Sequence, residues 1–186
     1  TLQAWYESVD IDQAIGAFGD DKVQRRAQEM RKKAEARGAD VEFVKLACTA
    51  GSVPRIRDTP PLIFHPEAWR EPGFDEKMRA NLKAYRDSLP PERRVLLDRY
   101  ELADVAMKVV GVGSVGTTCA VAMLFAAEDD PLFLQVKQAR PSVLAPHVNV
   151  PMFSTEGERV VFGQRLMQAS SDLFLGHLVS SLGSHM

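Results

Sequence analysis

The sequence predicts an α+β fold, in which a mostly helical amino-terminal part precedes a small antiparallel sheet and one further helix. Helical periodicity and capping signals dominate residues 1–100, apolar runs separated by glycines occupy residues 103–136, and an amphipathic stretch follows. We therefore divide the chain into a helical region, 1–100, and a glycine-loop region of hairpin and helix, 101–182. Residues 183–186 are set aside as vector-derived.

Several helix signals occur in the amino-terminal region. Asp10 and Asp12 can cap a short helix. A second helix is predicted over residues 20–37, because acidic residues begin it, basic residues end it and Gly38 follows. The short apolar segment 41–49 is also predicted to be helical.

Prolines interrupt the pattern over residues 51–66, where 61–64 is predicted to form a strand or an extended arm. Helical periodicity returns over residues 74–88. Pro91 then restarts a helix that carries apolar residues as far as Tyr100.

Three apolar runs predict the strands of the sheet, at residues 103–111, 118–126 and 131–136. The helix after them begins with Thr155 and Glu158, which have capping-box spacing ahead of an amphipathic body.

Composition excludes some classes of function. The 186 residues are 45% hydrophobic and carry a net charge of −2, which argues against a general nucleic-acid binder. No apolar run is long enough to span a membrane, and no signal peptide is visible. Cys48 and Cys119 have no metal-ligand spacing with each other or with a histidine. We expect a cytoplasmic protein with reduced cysteines.

One segment, residues 109–117, carries a chemical signal. Gly111, Gly113 and Gly116 have the spacing G-x-G-x-x-G, and Ser114 lies between the last two. Because glycine has no Cβ, backbone N–H groups in such a loop can approach phosphate oxygens closely. We expect these four residues to hold phosphate groups, although the same spacing also occurs in turns that bind nothing.

Two phosphate-binding architectures use this spacing, and the first is a Rossmann unit. There a helix begins at the third glycine, and an acidic residue ends the next strand. Residues 117–127 are compatible with a helix, but Asp129 and Asp130 precede the next strand, which ends at Lys137. The order fits poorly, and a dinucleotide-binding oxidoreductase remains as an alternative.

The second architecture is a kinase amino-terminal lobe, in which the loop joins two antiparallel strands and a third strand carries a lysine. Residues 132–137 match that strand, so we expect Lys137 to contact phosphates of ATP bound with Mg²⁺. Thr118 and Gln135 are polar where the kinase pattern has apolar contacts to the adenine. Their polarity favours the other alternative, a non-catalytic scaffold or interaction module.

A kinase lobe also pairs its lysine with a glutamate of the following helix. We assign this role to Glu158, a nucleotide-site residue in this hypothesis, although its place in the first helical turn equally suits capping. Glu156 and Gln164 are the other candidates.

Much of the chain resembles an uncharacterised bacterial family, domain of unknown function 2252, whose members are distantly similar to kinases and aminoglycoside phosphotransferases. The resemblance is strongest over Lys108–Thr117, Asp130–Lys137, Arg140–Leu144 and Arg159–Asp172, and extends to Trp5-Tyr6 and Pro60–Ile63.

The resemblance implies an internal fragment of a longer phosphotransferase-like protein. The family's Gly-Asp-x-His-x-x-Asn and Asn-Asp-Phe-Asp segments, similar to catalytic and metal-binding loops, do not occur in this sequence, and neither does His-Arg-Asp or Asp-Phe-Gly. Since phosphoryl transfer needs a base and metal-holding carboxylates, we expect nucleotide binding without turnover. We also expect homo-oligomers to form through apolar surface that a missing partner would otherwise cover.

Overall fold

The computed structural model describes residues 15–17, 19–35, 47–50, 53–111, 116–126, 130–148, 153–168 and 170–180. Within these residues it confirms the α+β fold. The α-helices are α1 (Asp21–Glu35), α2 (Phe74–Ser88), α3 (Pro91–Leu97) and α4 (Glu156–Met167). The strands are β1 (Ala47–Ala50), β2 (Val53–Ile56), β3 (Ile63–Phe64), β4 (Glu101–Lys108), β5 (Cys119–Phe125) and β6 (Pro131–Lys137). Short 3₁₀ turns occupy Glu67–Arg70 and Ala145–His147.

Helices α2 and α3 form where periodicity predicted them. Helix α2 begins after Gly73, whose φ of 87° is in the left-handed region that suits glycine. Pro91 occupies the start of α3, where its missing N–H costs nothing. Tyr100 lies beyond the end of α3 rather than within it, so the predicted helix was too long.

The predicted helix over residues 41–49 is wrong in the part that the structure describes. Ala47–Ala50 is a strand that pairs antiparallel with β2, Ala47 lying opposite Ile56. A short apolar run has no clear period, and here pairing and burial decide its conformation. Residues 41–46, Gly38, Asp10 and Asp12 lie outside the described residues.

Strands β3 to β6 form one antiparallel sheet in the order β3-β4-β5-β6. The prediction that residues 61–64 include a strand is confirmed by β3, which pairs with the end of β4. Strands β1 and β2 form a separate two-stranded ribbon. Ile56 of this ribbon donates its N–H to the Asp104 carboxylate of β4 at 2.7 Å, so the ribbon lies against one face of the sheet.

Both faces of the sheet are buried, by different partners. The face towards the ribbon, here called the ribbon face, includes Ala106, Val121 and Met123, which cluster with Ala47 and Ile56. The opposite face, here called the helix face, packs on α2, α3 and the chain after α4. Its cluster comprises Leu89, Leu96, Leu97, Tyr100, Leu124, Leu173 and Phe174.

The carboxyl-terminal strap, residues 170–180, lacks helix and strand but closes the helix face. Tyr85 of α2 donates its hydroxyl hydrogen to the Phe174 carbonyl, and the His177 N–H donates to Ser88 Oγ at 2.9 Å. A Cβ on Gly176 would lie 2.8 Å from Leu89 Cδ2, a distance that real side chains do not tolerate. Glycine therefore permits the strap to approach α2 closely.

Among the described residues, none of the helices combines the length and the apolarity that crossing a membrane would demand.

Candidate functional site

The predicted phosphate loop lies at the tip of the hairpin formed by β4 and β5, here called the glycine hairpin. Gly111 and Gly116 stand at the two ends of residues 112–115, so Gly113 and Ser114 lie outside the described residues. Strand β5 follows Gly116 closely, and it pairs with both β4 and β6. A Rossmann unit requires a helix at this position, where the structure has instead a strand that pairs antiparallel with both neighbours.

The two described glycines have different local environments. Gly116 has a φ of 76°, a left-handed conformation that a residue with a side chain adopts at a cost. The Arg140 Nη1 atom lies 3.9 Å from the position that a Cβ on Gly116 would occupy. Gly111 has open space on its side-chain side, with no atom within 4 Å of that position. The loop base is therefore accessible at Gly111 and bordered by a guanidinium at Gly116.

Lys137 ends β6 and lies opposite Cys119 of β5. Its side chain is exposed, whereas Cys119 is buried and accepts a hydrogen bond from Gln135 Nε2 at 3.4 Å. Among the residues that the structure describes, no carboxylate forms an ion pair with Lys137.

Glu158 occupies the first turn of α4 and acts as a capping residue there. Its N–H donates to Thr155 Oγ1 at 3.1 Å, and its Oε2 accepts from the Ser154 N–H at 2.8 Å. The predicted capping box is confirmed. No ion pair joins Glu158 to Lys137 in this structure, although both residues are described, and the place of Glu158 in a nucleotide site stays a prediction. Glu156, the second candidate, pairs with Arg159 Nε at 2.6 Å.

Thr118 and Gln135, the two polar residues at positions where the kinase pattern predicts contacts to the adenine, lie on opposite faces of the sheet. The Thr118 carbonyl accepts from the Gln138 N–H at 2.9 Å, which places Thr118 opposite Gln138. Gln135 is opposite Val121 and shares the ribbon face with Lys137. One flat base cannot contact both residues across a single surface.

Sequence reasoning missed two further cations near the loop, Lys108 and Arg140. Lys108 is the last residue of β4, and Arg140 follows β6 with its guanidinium beside Gly116. The Arg140 carbonyl accepts from Arg159 Nη2 at 2.9 Å, which connects this segment to α4. The available signal was the position of basic residues on both sides of the glycine segment. The strand register places Lys108 at the end of β4, and a contact at Gly116 places Arg140 beside the loop base.

A second polar cluster surrounds Asp104 on the ribbon face. The Asp104 carboxylate accepts from the N–H groups of Ile56 and Val105, at 2.7 and 2.9 Å, and Nε2 of His65 lies 3.2 Å away. Nδ1 of His65 lies 2.7 Å from Asp58, and Arg55 Nε lies 3.7 Å from Asp104. A cavity of about 270 Å³ adjoins this cluster between β4 and the start of α2. The cluster joins the ribbon, the β3 segment and β4.

Metal binding has no support in the described parts of the chain, where no three His, Cys, Asp or Glu side chains form a group that could hold an ion.

The exposed apolar side chains of α4 include Phe162, Leu166 and Met167. Self-association through such a surface stays a prediction.

Comparison with known proteins gives one result. No curated protein and no solved structure matches the chain. A family model described as an uncharacterised protein conserved in bacteria, DUF2252, matches residues 1–182. Because the match covers nearly the whole sequence, the chain belongs to this bacterial family, DUF2252.

Proposed function

We propose that the glycine hairpin and Lys137 bind the phosphate groups of a nucleotide, as the kinase-like lobe of a phosphotransferase. The observation that carries this proposal is the order of the elements. An antiparallel glycine hairpin is followed by a third antiparallel strand that ends in an exposed lysine, and then by a capped helix. In kinases this order brings a lysine to the phosphates that the loop covers.

Electrostatics near the loop favour an anion. Lys137 and Arg140 are exposed, and neither forms an ion pair with a carboxylate among the described residues. Arginine and lysine are the residues that proteins use most for phosphate recognition, the first through its planar fork and the second as a point charge. Backbone N–H groups of a glycine loop add donors without adding steric bulk.

The ligand that we propose is ATP with Mg²⁺, held mainly through its phosphates. The amide of Gln135 donates a hydrogen bond to Cys119 Sγ, and Thr118 lies on the opposite face of the sheet. Neither residue therefore supplies an apolar surface for the adenine. The sequence also contains no kinase-like catalytic loop or metal-binding loop. We therefore propose that this chain binds the nucleotide without phosphoryl transfer.

A titration followed by amide NMR tests the proposal. Millimolar ATP with Mg²⁺ should shift the amide signals of Gly111 and Gly116, because both lie at the loop base. Lys137→Ala should abolish the shifts. The matched control is Lys77→Ala, which removes an exposed lysine from α2 and should leave the titration unchanged.

Two outcomes would favour the alternatives. Unperturbed glycine amides at millimolar nucleotide would indicate a non-catalytic interaction module whose glycine segment is only a turn. Shifts that persist in Lys137→Ala would place the nucleotide elsewhere and remove the proposed role of the lysine.

A further inference from the structure

We propose that Lys108 is a second anion ligand and that Lys108 and Lys137 together select linked phosphates over a single phosphate group. This inference rests on the proposed function, since it concerns the same loop. It goes further by naming a residue outside the glycine segment and the class of anion, a diphosphate, that the site prefers.

Strand pairing places the two lysines in one row. Met107 of β4 lies opposite Ala120 of β5, so the next pair in this antiparallel ladder is Lys108 with Cys119. Cys119 in turn lies opposite Lys137 of β6. Paired residues in an antiparallel sheet direct their side chains to the same face. Lys108, Cys119 and Lys137 therefore cross three strands side by side on the ribbon face.

The spacing of this row suits two ammonium groups that share one ligand. Neighbouring strands lie about 4.8 Å apart, so the two lysine Cα atoms are separated by roughly 10 Å. Each ammonium group is carried on a flexible four-carbon stem. Cys119 between them has a short side chain, which does not extend to the height of the two ammonium groups.

Nothing described in this row neutralises the two charges. Lys108 is half-buried and Lys137 exposed, and neither pairs with a carboxylate among the residues that the structure describes. The neighbour of Lys108 on its other side is Ile63, an apolar residue. Gln135, the next residue of β6 on this face, is neutral, and its amide donates a hydrogen bond to Cys119 Sγ.

The charge balance explains the preference for linked phosphates. Two ammonium groups that converge on one ligand come closer together than their Cα atoms, to within the screening length of about 8 Å at physiological salt, so they repel each other there. An anion with two phosphate groups can contact both lysines and offset this repulsion. A single phosphate group is shorter, and we expect it to contact one lysine and leave the other unpaired.

Isothermal titration with inorganic pyrophosphate and with orthophosphate, each without nucleotide, tests the inference. We expect wild type to bind pyrophosphate about tenfold more tightly than orthophosphate, the effect of one additional charge-assisted contact. Lys108→Met keeps the aliphatic stem but removes the charge, so it should abolish this preference and leave orthophosphate affinity unchanged. Lys108→Arg should retain the preference, and Lys77→Ala should behave as wild type.

The outcomes separate this inference from the proposed function. If ATP leaves the amide signals of Gly111 and Gly116 unperturbed while Lys108→Met still removes a pyrophosphate preference, the proposal of a nucleotide site is wrong and the proposal of a two-lysine anion site is supported. If ATP shifts those amides but Lys108→Met keeps the preference, the two-lysine site is wrong. Absence of any pyrophosphate preference in wild type would also overturn it.

Discussion

Two polar groups on the ribbon face differ in how their charges are satisfied. Asp104, in the middle of β4, has a side chain that is 9% exposed, and it contacts two backbone N–H groups, His65 and Arg55. Lys108, at the end of the same strand, shares this face with Lys137, and the described residues provide no carboxylate partner for either lysine.

From this difference we predict a structural role for Asp104 and a binding role for the two lysines. A buried carboxylate is tolerated only when hydrogen bonds replace its lost hydration, so Asp104 and its donors depend on one another. An exposed lysine remains hydrated and costs the fold little whether or not it has a partner. We therefore expect substitutions at Asp104 to change stability and substitutions at the lysines to change binding.

The largest expected effect is that of Asp104→Ala. Without the carboxylate, the Ile56 and Val105 N–H groups and His65 lose their acceptor in a half-buried site. Each unsatisfied donor costs about 1–3 kcal/mol, so the variant should lose roughly 3 kcal/mol of unfolding free energy, measured by urea denaturation. Pyrophosphate affinity, measured where the variant is folded, should not change.

Asp58→Ala provides the matched comparison for this prediction. Asp58 also contacts His65, but its side chain is 46% exposed, so solvent screens the interaction and replaces it. We expect a loss below about 1 kcal/mol. Equal losses for the two variants would show that burial does not distinguish these carboxylates.

Tyr85→Phe removes a half-buried hydroxyl on the helix face and should have an intermediate effect. Tyr85 donates to the Phe174 carbonyl and so joins α2 to the carboxyl-terminal strap. Removing one such hydrogen bond, and leaving the carbonyl without it, should cost about 1 kcal/mol in urea unfolding at neutral pH. A variant as stable as wild type would show that this contact does not hold the strap.

The same tyrosine predicts a dependence on alkaline pH. Burial, and then the nearby Asp172 carboxylate, raise the pKa of Tyr85 in the folded protein. In the unfolded chain a tyrosine ionises near pH 10, so the folded state binds the proton more tightly and loses stability as pH rises above about 10. Tyr85→Phe should reduce this loss above about pH 10, whereas equal slopes of stability against pH in urea unfolding experiments would contradict the assignment.

Local signals predicted several elements of the fold correctly. The periodicity of residues 74–88 gave the bounds of α2, and the Thr155–Glu158 spacing gave the cap of α4. Both patterns depend on residues within a few positions of each other, so the geometry of the helix alone determines these contacts. The apolar runs likewise predicted β5 and β6, because β5 is buried along most of its length and the first four residues of β6, at the edge of the sheet, are half-buried.

Long-range pairing explains what the sequence did not predict. The ribbon of β1 and β2 was missed because Ala47–Ala50 has no local strand period. Its strand conformation is determined by pairing with β2. A register shift between Leu102 and Asp104 directs these residues to opposite faces, which simple alternation cannot anticipate. The row that contains Lys108 and Lys137 arises in the same way, from the register of three strands.

The smallest expected effect concerns stability of the lysine variants. Lys108→Met and Lys137→Met each remove a charge that has no carboxylate partner among the described residues, and the retained aliphatic stem preserves its packing. Both variants should therefore stay within about 0.5 kcal/mol of wild type in urea unfolding. If mutual repulsion between the two ammonium groups is appreciable in the free protein, the change should be a gain, and it should diminish as salt is added. A loss comparable to that of Asp104→Ala would instead mean that these lysines are part of the fold, and the distinction between the two groups of the ribbon face would no longer hold.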